Sequence, residues 1–280
     1  MEKIYTVVVM YNSNINESQT CKRLVSIKNH DIEPIIVDNS TFDNDNEVLC
    51  VRRNWKYISM GGNKGLSKAY NKALDYLAEK KGIVVWFDDD TNVTQKYFDE
   101  LEKEYSKKRE CSIFVPVIQG QDGRYWSPNS VSFFRNKQLK NKDEKIDNSK
   151  FNAINSCTAV DLEVYENYRY DERLFLDQVD HKFFEDQRNL NRKFDKLDVV
   201  IQHNFSTREK KKSIEDVKKR YVIMIPDFLR FCSRNKKYYL LGMVKVFGWG
   251  VRESIKYKNI TFLVWCMRES MKYPYRKIKL

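Results

Sequence analysis

The sequence predicts an α/β fold, with a mostly parallel central sheet flanked by helices and a C-terminal helical extension. Three observations lead there. Continuous apolar runs at residues 5–11 (YTVVVMY), 34–37 (PIIV) and 83–87 (IVVWF) read as strands buried on both faces. They stop at Asn12, Asp38 and Asp88, and helix-period segments lie between them. Charge is also uneven. Residues 206–280 hold 20 Lys+Arg and 6 Asp+Glu, a net of +14, whereas the remaining 205 residues hold 31 and 33. A boundary near residue 205 therefore divides a globular part, 1–205, from a basic, aromatic-rich tail, 206–280.

Taken in order, residues 5–11 form the first strand and 17–28 a helix with Leu24 and Ile27 inward. Residues 34–37 form the second strand, turned by Asp38-Asn39-Ser40, and 55–59 a third, short one. A Gly61-Gly62-Asn63 loop leads into a helix over 66–80, with Leu66, Ala69, Tyr70, Ala73, Leu74 and Leu77 on one face. The fourth strand is 83–87. In parallel sheets ligands bind beyond the carboxyl ends of the strands, so Asn12, Asp38 and Asp88-Asp89-Asp90 are expected on one rim. Further strands are expected at 112–118, 130–134 and 199–203, a turn at 119–124, a charged mobile loop at 137–150, and a helix from Asp177 or Gln178 to about Leu190. The lysine run 210–212 precedes helices rich in Tyr, Phe and Trp.

The chain has 280 residues, 41% hydrophobic and 32% charged, enough for one large domain with an appendage. Its six cysteines form no CxxC pair, which argues against a zinc cluster or a disulfide framework and for a reducing compartment. No apolar segment follows a basic start, so no signal peptide is expected. No run reaches the ~18–20 apolar residues of a membrane span.

Three consecutive aspartates at a buried strand's end repel one another unless something offsets them. Asp88 and Asp90 lie on one side of an extended chain, so both reach one hard divalent cation and its phosphate ligands. The alternative is a helix cap, since Thr91 and Thr94 follow. Together with VVVMYN (7–12), VDNS (37–40), NKGLSKAYNKAL (63–74) and VVWFDDDT (84–91), the triplet resembles the family 2 glycosyltransferases with the Rossmann-like GT-A fold. More narrowly, the chain resembles bacterial rhamnosyl- and galactofuranosyl-transferases of surface-polysaccharide synthesis. The resemblance covers about residues 4–206.

That resemblance implies a nucleotide pocket lined by the backbone of Val9 and Tyr11, by Asp38 on the pyrimidine N3–H, and by Asn63 and Gly65. Asp38 otherwise only turns the chain. Asp90 is implied as a direct ligand of Mn2+ or Mg2+, Asp88 as a contact to ribose or metal, Asp89 as a ribose contact, and His203 as a further ligand rather than a plain structural histidine. Segment 173–188 (RLFLDQVDHKFFEDQR) resembles the stretch bearing the catalytic base, which makes Asp180 the general base. Lys182 stands where relatives usually have an acid. Asp177 either orients acceptor or metal, or caps the helix. Trp126, with Tyr125, either stacks on a sugar or covers a core edge. Residues 155–158 would floor the donor site, with Cys157 in a place where glycine is frequent, narrowing the pocket. His30 is expected on the surface.

The implied function is inverting, metal-dependent transfer of rhamnose, galactofuranose or a related hexose from a UDP- or dTDP-sugar to a lipid-linked oligosaccharide. The tail is expected to rest on an anionic membrane surface or to join a homodimer, which places the chain in the cytoplasm at the inner face of the cell membrane. No nucleic-acid motif accompanies its basic residues. Two other classes compete with this reading. A nucleotidyltransferase needs a glycine-rich basic loop after the first strand, and residues 11–16 contain neither glycine nor base. A non-catalytic binding module on a dead transferase fold would show no metal-stimulated release of nucleoside diphosphate.

Overall fold

The computed structural model describes residues 3–28, 30–107, 110–132, 135–203 and 213–278. They form two compact units, Met1–Tyr170 with Asp180–Ser206, and Asp171–Val179 with Thr207–Leu280.

The first unit is built on one sheet. Strands β1 (Ile4–Met10), β2 (Ile32–Asp38), β3 (Lys56–Ser59) and β4 (Ile83–Asp88) pair in parallel in the order β3-β2-β1-β4. Val7, Val8, Ile35, Ile36, Val84 and Val85 are fully buried, as apolar runs covered on both faces require. Register aligns Met10 with Asp38 and Val9 with Asp88, so the polar residues ending these strands lie level on one rim. The sheet continues through β5 (Cys111–Gly120), β6 (Tyr125–Ser132), β7 (Arg135–Leu139), β8 (Phe151–Asn152), β9 (Thr158–Asp161) and β10 (Lys193–His203). Strand β9 runs antiparallel between β4 and β5, and β10 runs parallel to β5.

Helices α1 (Gln19–Ser26), α2 (Asn46–Arg52), α3 (Leu66–Leu77), α4 (Gln95–Ser106) and α5 (Val179–Asn189) flank the sheet. Helix α3 buries Ala69, Tyr70, Ala73, Leu74 and Leu77, the face its spacing predicts. Trp86 of β4 lies 4.4 Å from the Tyr70 ring and donates to the Tyr165 hydroxyl at 2.8 Å.

Several local expectations change. Helix α2 is additional. The segment 137–150 is not all loop, because Lys137, Gln138 and Leu139 belong to β7 and Leu139 is buried. The strand expected at 130–134 is present as far as Ser132, and Phe133 and Phe134 lie outside the described residues. His30 is not a surface residue, since its side chain is 3% exposed and lies 2.9 Å from both Asp99 and Glu102.

The second unit contains α6 (Ile214–Cys232), α7 (Lys236–Lys256), α8 (Thr261–Met271) and the short α9 (Tyr275–Ile278). Ser213 and Asp216 close a capping box at the start of α6. Gly250 lets α7 approach α8, because a Cβ there would stand 2.8 Å from Leu263. The aromatics mostly turn inward, with Tyr221 against Phe262 at 5.3 Å and Phe228 against Trp249 at 4.8 Å. Tyr221, Phe228, Tyr239 and Phe262 are core, whereas Phe247 is exposed. The lysine run 210–212 lies outside the described residues. Among those described, no helix is long and apolar enough to cross a membrane.

Candidate active site

Strand β4 delivers Asp88 to the rim, and the chain leading into α1 holds the triplet's backbone. Thr20 donates its hydroxyl to the Asp88 carbonyl and accepts from the Thr91 N–H at 2.9 Å. Ser18 donates to the Asp89 carbonyl at 2.6 Å. The Asp89 carboxylate turns to Ser13, whose hydroxyl donates at 2.6 Å. Helix α4 begins only at Gln95, with Thr94 at its cap, so the triplet caps no helix.

Asp88, Asp90 and His203, the last residue of β10, bring one ligand atom each within 4.8 Å of one another. His203 Nδ1 stands 4.0 Å from Asp90 Oδ1. Burial pushes the Asp88 carboxyl up to about 6, the charge of Asp90 adds to this, and His203 and a hydrogen bond from Ser156 oppose it. Burial also raises Asp90, again opposed by His203. Two carboxylates and an imidazole so gathered match the hard-to-borderline donor set that suits Mn2+ or Mg2+. Ser156 is itself held by the Thr91 hydroxyl at 2.9 Å. Cys157 does not narrow this pocket as expected. It takes a left-handed conformation at φ 62°, which explains why glycine suits the position, and its side chain packs in the hydrophobic core.

Asp180 lies in the first turn of α5. Its charge and that of Asp88 both act on the buried Tyr70 hydroxyl. Burial raises the Tyr70 pKa well above its ordinary value, and the charges of Asp180 and Asp88 raise it further. Tyr70 therefore stays protonated beside both acids, facing the Asn155 amide.

Toward β2, Asp38 is 5% exposed and its carboxylate accepts from the Ser40 N–H and the Asn46 amide, both at 3.0 Å. The turn bond to Ser40 is thus present alongside any ligand role. Asn63 accepts from the Gly65 N–H at 3.2 Å, and Gly65 opens α3 at φ 93°, a conformation that favours glycine. Val9 is half-buried and Tyr11 is 51% exposed. Trp126 donates to Asp122 at 3.1 Å and covers Gly120 beside the β5–β6 turn.

The second unit holds its own acids. The Arg220 guanidinium grips Asp177 through two hydrogen bonds, at 2.5 and 2.6 Å. Asp227, fully buried, accepts the N–H groups of Phe175, Leu176 and Asp177 at 2.8–3.0 Å.

The model of the family described as "Glycosyl transferase family 2" matches residues 5–169. The chain belongs to glycosyl transferase family 2. A curated relative, "dTDP-rhamnosyl transferase RfbF" of Shigella flexneri, is 27% identical over 183 residues, 63% of this chain. The match spans 60% of that relative's length. Among solved structures, mannosyltransferase PcManGT from Pyrobaculum calidifontis, in complex with GDP-Man and Mn2+, superposes with a TM-score of 0.57 at 11% identity, covering 97% of this chain and 87% of that one. TarS 1–349 of S. aureus gives 0.53 at 13% identity, covering 99% and 90%. At such identities the structural likeness shows the fold, and that fold is GT-A.

Within this family 2 fold, sequence reading named the members of the metal-type cluster but not their supports. Ser13, Ser18 and Thr20 have no signal beyond a polar stretch after a strand. Tyr70 appeared only as one apolar-face residue of a helix. Asn155 and Ser156 were flagged as a site floor, and Ser156 meets Asp88 directly.

Proposed function

We propose that this family 2 chain transfers a sugar from a UDP- or dTDP-sugar to a hydroxyl of a lipid-linked glycan intermediate, with inversion at the anomeric carbon. The observation that carries the reading is the convergence of Asp88, Asp90 and His203 at the carboxyl ends of β4 and β10. The dTDP-rhamnosyl relative favours a deoxythymidine nucleotide and rhamnose, with galactofuranose or a related hexose as the other donors to test.

Asp88, Asp90 and His203 would hold Mn2+ or Mg2+. The ion supplies positive charge that offsets the charge on the departing nucleoside diphosphate. The chain's own residues do the rest. Asp38 accepts the N3–H of thymine or uracil, the backbone at Val9 and Tyr11 lines the base, and Asp89 stands toward the ribose. Asn63 and Gly65 shape the loop that leads the N-terminus of α3 to the diphosphate. Asp180 takes the proton of the acceptor hydroxyl as that oxygen bonds the anomeric carbon and the bond to the diphosphate oxygen breaks. One displacement with one base inverts the configuration and needs no covalent intermediate. Tyr70, kept protonated, adds no negative charge beside Asp180 and Asp88. Trp126 is the candidate for shaping the acceptor side, whereas Asp177 is taken up by Arg220.

Release of nucleoside diphosphate from a panel of dTDP- and UDP-sugars, with Mn2+ and with EDTA, tests this. Metal-stimulated release of dTDP from dTDP-rhamnose is expected. No metal-stimulated release from any donor of the panel defeats the reading.

A further inference from the structure

Helices α7 and α8 each leave one apolar side uncovered. Val244, Phe247 and Ile255 on α7, and Ile260, Val264 and Met271 at the start of and along α8, are 47–73% exposed. Their spacing, three and eight residues on α7 and four and seven on α8, puts each set on one side of its helix. The opposite side of α7 is the seam of Tyr239, Gly242, Val246 and Gly250, and that of α8 is Phe262 and Cys266. The apolar sides are therefore not failed core positions. They are a second face, distinct from the aromatic interior.

Charge selects what covers that face. Exposed Lys237, Arg252 and Lys256 flank it on α7, and Arg268 and Lys272 flank it on α8. The acids of the two helices, Glu253 and Glu269, are turned inward, where Arg252 and Lys272 pair with them. Lys256 also reaches Glu253, at 3.9 Å, which leaves Lys237 and Arg268 as the flanking cations with no carboxylate of either helix to answer them. Residues 213–278 hold 15 Lys+Arg and 5 Asp+Glu, a net of +10. A second copy docked on the same face would bring like-charged flanks together. An anionic bilayer offers hydrocarbon to the aliphatic residues and phosphate to the cations.

We infer that the α7–α8 face is a membrane-docking surface that inserts Val244, Phe247, Ile255, Ile260, Val264 and Met271 among the lipids of an anionic leaflet. The inference deepens the proposed lipid-linked acceptor and takes its biological sense from that reading, but its test needs neither donor nor turnover.

The full chain is sedimented with vesicles of phosphatidylcholine alone or mixed with phosphatidylglycerol. Binding is expected to the anionic vesicles, to weaken as salt rises, and to fall at least about tenfold in the exposed-site variant Val244→Ser/Phe247→Ser. Lys237→Glu/Arg268→Glu is expected to lose the preference for anionic lipid, and circular dichroism unchanged in both variants shows that the fold is kept. Wild-type protein that stays in the supernatant, or serine variants that bind as well as wild type, overturn the inference. So does a wild-type dimer in sedimentation velocity that becomes a monomer in the serine variant while neither binds vesicles. Sugar transfer measured on a soluble acceptor separates the two ideas, since it survives in the serine variant whether or not the vesicle result is positive.

Discussion

Asp88 and Asp90 in the first unit, and Asp177 and Asp227 in the second, meet the same electrostatic problem with opposite outcomes. At Asp177 and Asp227 every charge is answered. Arg220 forks onto one carboxylate, and three backbone N–H groups converge on the other. Burial still raises Asp227, but those N–H groups oppose it. At Asp88 and Asp90 no Lys or Arg pairs with either carboxylate among the described residues; Ser156 bonds Asp88, and the charged group beside Asp90 is a histidine 4.0 Å away. Burial, with the charge of Asp90 added to it, holds Asp88 up to about 6. An answered cluster is architecture, whereas an unanswered one at a strand-end rim fits the metal site we propose.

The largest effect is expected at the proposed base. Asp180→Asn should lower kcat by about 10²–10⁴-fold with donor affinity unchanged, measured by turnover and by calorimetric titration of the donor. Retained turnover would remove Asp180 from that role. Next comes Asp227→Ala, which leaves three buried N–H groups without an acceptor and should cost about 3 kcal/mol or more in urea unfolding. A change below about 1 kcal/mol would mean that the N–H groups find other partners, and the contrast between the clusters would lose its second half. Arg220→Met should cost less, about 1 kcal/mol, because the guanidinium is 36% exposed and solvent screens the pair. An Arg220 effect exceeding that of Asp227 would reverse the order argued from burial.

How much of this was legible beforehand follows from where the signal sits. Strands β1, β2 and β4 and the buried face of α3 are written in local periodicity. The two-residue β8 and the seven-residue α2 are too short to show one, and β7 is hidden among Lys and Asn because an outer strand needs little apolar side chain. In the site, Asp88 and Asp90 stand out as acids ending a buried strand, whereas Asp38, Asp180 and His203 are marked by the family resemblance. Their partners are not. Arg220 lies 43 residues from Asp177, and Asp227 lies 50–52 residues from the three N–H groups it accepts, so only tertiary packing joins them. His30 misled for the same reason, since Asp99 and Glu102 come from α4. Which of the tail's aromatics are core was not legible, because their burial depends on helix–helix contacts at Gly242 and Gly250, which composition does not reveal.

The central claim is that the unanswered acids exist to bind a metal, and thermal unfolding of wild type and Asp90→Asn, each with EDTA and with Mn2+ plus dTDP or UDP, tests it most directly. In EDTA, Asp90→Asn should unfold at a higher temperature than wild type, by about 2–4 °C for each kcal/mol of repulsion relieved. With Mn2+ and nucleotide, wild type should gain stability and Asp90→Asn should not. A wild type indifferent to Mn2+, or an Asp90→Asn variant that gains as much from it, would contradict the account.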